Sequence, residues 1–243
     1  MSNPSPDQQR RARIFGVFFA LTFVTSIAAL ILYDPVLNDT GYILGSGGET
    51  RVQLGALSEI FLAIANIGTA LIIWPIVKRQ SQTVALGYVA SRIVESVIIL
   101  VGVLSLLSVV LLRQDHVGGD AGALTLAGQA LVDLHDRTFL LGPGFCVGVN
   151  GLLLGYLFLK SGLVPRPIAW FGVIGGPLIF ASAIAVLFGA YEQDGAHFIF
   201  SIPEIVFEFS ITVYTIVWGF RASPILDDSR YGDGPRAAQA VPA

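Results

Sequence analysis

Val84–Leu112, VALGYVASRIVESVIILVGVLSLLSVVLL, decides what kind of protein this is. The stretch carries only two charged residues, Arg92 and Glu95, and is longer than the roughly 20 apolar residues of helix needed to cross a hydrocarbon core about 30 Å thick. Five comparable runs lie around it: Ile14–Leu32, Leu54–Val77, Thr138–Leu159, Ile168–Ala190 and Phe198–Phe220. Composition agrees. The 243 residues are 54% hydrophobic and 13% charged, with a mean hydropathy of +0.73, well outside the range of ordinary soluble domains. The fold class read from this is all-α, an integral membrane bundle of six transmembrane helices whose main neighbour is the lipid bilayer.

Lysine and arginine set the orientation, because loops rich in them stay in the cytoplasm. The N-terminal tail (Arg10, Arg11, Arg13), second loop (Lys78, Arg79), fourth loop (Lys160, Arg166) and C-terminal tail (Arg221, Arg230, Arg236) hold ten of the fourteen. The first, third and fifth loops share Arg51, Arg113 and Arg137 and are rich in acids, including Asp34, Asp39, Glu49, Asp115, Asp120, Glu192 and Asp194. This pattern places both termini in the cytoplasm. The arginine, alanine and glycine bias points to a bacterial plasma membrane. The domain division expected is a disordered tail over 1–12, a six-helix domain over 13–221 and a second disordered tail over 222–243. In the third loop, Leu124, Ala127, Leu131 and Leu134 recur at helical spacing, which predicts an interfacial helix over Ala121–Leu134. The GSGG at Gly45–Gly48 reads as a flexible linker.

Several activities are excluded or unsupported at this level. Scattered basic residues and a net charge of −3 argue against nucleic-acid binding. A single cysteine, Cys146, allows no disulfide framework. There is no Walker loop, no strand-linked GxGxxG and no GxSxG, and no cofactor is implied.

Three stretches are distinctive: VALGYVASRIVES (Val84–Ser96), HDRTFLLGPGF (His135–Phe145) and SGLVPRPIAWFGVIGG (Ser161–Gly176). Over about Arg11 to Phe220 the chain resembles the bacterial membrane family known as domain-of-unknown-function family 4386 (DUF4386). That resemblance implies a six-helix membrane protein and supplies no activity, substrate or cofactor.

Ionisable side chains inside the spans are the functional candidates, since each costs several kcal/mol at mid-depth unless it meets a partner, water or a proton. Glu59 lies in the second span; Arg92 and Glu95 lie in the third at i, i+3; Glu204 and Glu208 lie in the sixth at i, i+4. His135, Asp136 and Arg137 enter the fourth span. Convergence of these eight in one outward-facing acidic cup, formed by the second, third, fourth and sixth spans, is the expectation. The leading function is binding or transport of a small cation, proton or polar ligand, with Arg92 holding Glu95. One alternative is an intramembrane metal-dependent hydrolase of lipid-like substrates, with His135, Asp136, Glu59, Glu204 and Glu208 as ligands, although no HExxH or Glu-x-x-His pair supports it. The other is a non-catalytic partner of itself or of another membrane protein. Asn66 and Asn150 are expected to bond across helices, the glycines of the fourth and fifth spans to serve packing, and Tyr33, Trp74, Trp170, Tyr191 and Trp218 to form aromatic belts.

Overall fold

A computed structural model describes residues 1–231 apart from 40, 46, 116–119 and 194. Helix α1 (Pro6–Asn38) opens with a reciprocal cap: the Gln8 amide donates to Ser5 Oγ, and the Ser5 amide donates to Gln8 Oε1 at 2.9 Å. Helix α2 (Glu49–Val77) follows Gly48, which adopts φ 87°, a left-handed conformation that costs glycine nothing. Helix α3 (Gln82–Asp115) returns. Helix α4 (Ala121–Phe139) is capped by Asp120 and passes through a π-helical segment, Leu140–Cys146, into α5 (Val147–Ser161). Then come α6 (Arg166–Leu187), α7 (Gly195–Val217) and the single turn α8 (Asp228–Tyr231). Six helices are long and apolar enough to cross a membrane, the fourth being the composite Ala121–Ser161, and no strand occurs among the described residues.

The helices close into a ring in chain order: α1 on α2, α2 on α3, α3 on α4 and α5, α5 on α6, α6 on α7, and α7 back on α1. An even number of antiparallel spans brings both termini to one end. At that end a core of Phe15, Phe19, Ile73, Tyr88, Phe158 and Phe207 fills the ring; at the other end, Tyr33, Val36, Val52, Leu106 and Val109 fill it. Close approach of α5 and α6 depends on glycine, for a Cβ at Gly148 would stand 2.8 Å from the carbonyl oxygen of Gly176.

Three differences from the sequence reading have plain causes. Ala121–Leu134 is not a separate interfacial helix: α4 runs unbroken through Leu134 to Phe139 with no proline or glycine between Ala130 and Phe139 to end it, and a π turn then carries the chain past Pro143 into α5. Within the expected N-terminal tail, Gln8 is buried and its amide donates to the Leu226 carbonyl and to Asp228, each at 3.1 Å. Within the expected C-terminal tail, Ile225 and Leu226 join the core, Ser223 donates to the Ser161 carbonyl at 2.6 Å, and Asp228 meets Arg79 at 2.8 Å. Residues 232–243 of that tail, and Ser46 of the expected linker, lie outside the described residues.

Candidate functional site

Between the two apolar cores lies a buried polar network centred on Arg92. Its Nη1 donates to Glu95 Oε2 at 3.1 Å and to Asn66 Oδ1 at 3.2 Å; its Nη2 donates to Glu208 Oε1 at 3.0 Å; its Nε donates to the Tyr88 hydroxyl at 3.3 Å. The guanidinium also lies 5.1 Å from the ring centre of Phe19. Glu95 accepts further bonds from Asn66 at 3.1 Å and Asn150 at 2.6 Å. One buried cation thus serves two carboxylates, and α2, α3, α5 and α7 are tied through it. Asn66 and Asn150 bond across helices because each stands level with Glu95 on a neighbouring span.

Glu204, one turn from Glu208 on α7, stands outside this network. It is 1% exposed, and neither carboxylate oxygen has a hydrogen-bond partner among the described residues. The carboxylate packs directly against Gly151, where any Cβ would collide with it. It lines a cavity of about 410 Å³ together with Gln193, His197, Ser201 and Glu208, opposite Phe139 and Pro143. His197 is held by Ser182, whose hydroxyl lies 2.9 Å from Nδ1 and 2.6 Å from the Tyr191 hydroxyl.

On the other side of Phe139 and Pro143 is a second cavity, of about 300 Å³, into which Glu59, Tyr33 and His135 face. Tyr33 donates to Glu59 Oε2 at 3.0 Å and meets the His135 ring edge-on at 5.6 Å between centroids. Both cavities share walls with a polar vestibule of about 780 Å³ at the end away from the termini. Asp136, Arg137, Tyr191, Glu192 and Gln193 line that vestibule. The π segment therefore sits where the two chambers meet, a position in keeping with the frequent use of π turns at functional sites.

The eight residues expected in one cup are distributed over three places. Arg92, Glu95 and Glu208 share the buried network, with Glu204 on the adjoining chamber wall; Glu59 and His135 share the other chamber; Asp136 and Arg137 are exposed at the vestibule. Among the described residues no three His, Cys, Asp or Glu side chains come together as a ligand set. Tyr33 is not a belt residue: it is 1% exposed and bonded to Glu59. Gln193, His197 and Ser201 were not singled out from sequence. His197, Ser201, Glu204 and Glu208 follow one another at intervals of one helical turn, and this polar stripe of α7 is the signal the sequence offers.

Fold and site define a class: a multi-pass helical membrane protein with an ion-paired interior and two chambers below one vestibule. The chain belongs to the family described as a domain of unknown function (DUF4386), whose sequence profile matches residues 14–219. No curated protein and no solved structure matches it.

Proposed function

We propose that this protein binds a small cationic species in the chamber lined by Glu204 and moves it across a bacterial plasma membrane. Its termini are cytoplasmic and its vestibule faces outward. The observation that carries this reading is the Glu204 carboxylate, buried and without a hydrogen-bond partner among the described residues, on a residue that lines a cavity. Glu95 and Glu208 are engaged by Arg92, so they hold the scaffold, whereas Glu204 keeps its binding capacity for a ligand. Ser201, His197 and Gln193 supply further polar groups beside it, and at the mouth the vestibule acids Asp136 and Glu192 outnumber Arg137, a balance that favours cations.

The test is uptake of sodium, potassium and methylammonium into liposomes holding the purified full chain. Saturable uptake of at least one cation is expected, together with its loss in Glu204→Gln, which preserves shape and removes charge. No uptake of any of the three, or uptake unchanged in Glu204→Gln, would overturn the assignment.

A further inference from the structure

The chamber on the far side of Phe139 has a different chemistry. Glu59 is 9% exposed, and Oε2 already accepts the one proton that the Tyr33 hydroxyl can donate. Tyr33 is itself fixed by the His135 ring. Among the described residues no lysine or arginine lines the space, His135 is the basic side chain on its wall, Asp136 stands at its rim, and most of the remaining wall is aliphatic, supplied by leucines of α1 and α2 and by Ile99. The buried Arg92 guanidinium is taken by Glu95, Glu208 and Asn66.

We infer that this chamber is a second binding site, for a monoamine with an apolar body, its ammonium group on Glu59 and its hydrocarbon against Phe139 and the leucines. An anion would meet Glu59 and Asp136. A bare inorganic cation would exchange a full hydration shell for the side-chain oxygens of Glu59, Tyr33, Ser26 and Thr138, fewer than the six or more that hard cations take. A neutral alcohol would bring Glu59 no charge and leave it with the Tyr33 hydroxyl and the neighbouring His135 ring alone. An ammonium group satisfies Glu59, and the ring of an aromatic body stacks on Phe139 or Tyr33. The volume lies at the small end of ligand sites, which matches a body of one ring or a short chain. The site is separate from the Glu204 chamber and does not depend on the transport reading.

Calorimetric titration of the full chain in zwitterionic nanodiscs tests it, with phenethylammonium, 2-phenylethanol and 3-phenylpropanoate as probes. Saturable binding of the amine is expected, at least roughly tenfold tighter than either analogue. Glu59→Gln should weaken it by roughly tenfold or more, and Asp7→Asn, exposed at the far end of α1 and in neither chamber, should leave it within about twofold. Ser26→Phe, on a half-buried wall position, should block it by filling space, so the test does not rest on Glu59 alone. Absence of saturable amine binding, equal affinity for the alcohol, or binding that survives both Glu59→Gln and Ser26→Phe would overturn the inference. Loss in Glu204→Gln with retention in Glu59→Gln would also overturn it and would place the amine in the other chamber.

Discussion

Arg92 of α3 reaches Glu208 of α7 at 3.0 Å across the middle of the ring, joining two helices that are not neighbours around its circumference. The pair holds the ring closed at the level where its interior is polar. Both sides of this contact are more than four-fifths buried, so its loss exposes an unpaired charge to an apolar interior.

Arg92→Met should therefore destabilise the fold by about 3–5 kcal/mol, because Glu95 and Glu208 lose their common cation. The triple variant Arg92→Met, Glu95→Gln, Glu208→Gln removes all three charges and should recover much of that loss. Thermal unfolding in detergent, followed by circular dichroism, compares them; a triple variant less stable than the single one would contradict the network as described.

Two glycine substitutions separate side-chain from backbone obstruction. Gly151→Ala pushes its methyl into the Glu204 carboxylate, and Gly176→Ala pushes one into the Gly148 carbonyl. Each should cost about 1–3 kcal/mol. Adding Glu204→Ala should relieve the first and leave the second unrelieved, since a backbone oxygen has nowhere to withdraw. A double-mutant cycle on melting temperature reads the difference.

The proposed orientation is tested with a membrane-impermeant maleimide on intact cells in a Cys146→Ala background. Cysteines at Ala121 and Glu192, both exposed at the vestibule end, should label; those at Lys78 and Ser229, exposed at the terminal end, should label only after lysis. The reverse pattern would invert the topology.

Outside the membrane-spanning helices, Asp227 titrates below its ordinary value because the Ser229 hydroxyl, at 2.5 Å, and then the Ser229 amide donate to its carboxylate, with Arg230 close by. Protonation is harder in the folded turn, so its contribution to α8 is complete above the ordinary aspartate range. It is lost as the pH falls through the lower folded value. Carboxyl NMR of Asp227 should show that depressed midpoint, and Ser229→Ala should raise it toward about 3.9.

Much of this is legible in the sequence. The six spans follow from apolar runs of fixed length, and the i, i+3 and i, i+4 spacings of Arg92 with Glu95 and of Glu204 with Glu208 follow from helical period. The start of the fourth span was hidden because Thr125, Gln129 and Asp133 make α4 amphipathic, and amphipathic helices also lie at interfaces. Tyr33 read as a belt aromatic because its place near a helix end is the same whether it faces lipid or Glu59.

From the sequence by itself come the number of crossings and the presence of Glu59, Arg92, Glu95, Glu204 and Glu208 within the spans, which depend on hydropathy and period along a single helix. Tertiary structure alone decided that Arg92 reaches Glu208 as well as Glu95, while Glu204 and Glu59 face separate chambers. Which partner a buried carboxylate meets depends on the rotation and depth of neighbouring helices, and those are set by contacts such as Gly148 on Gly176 between residues far apart in the chain.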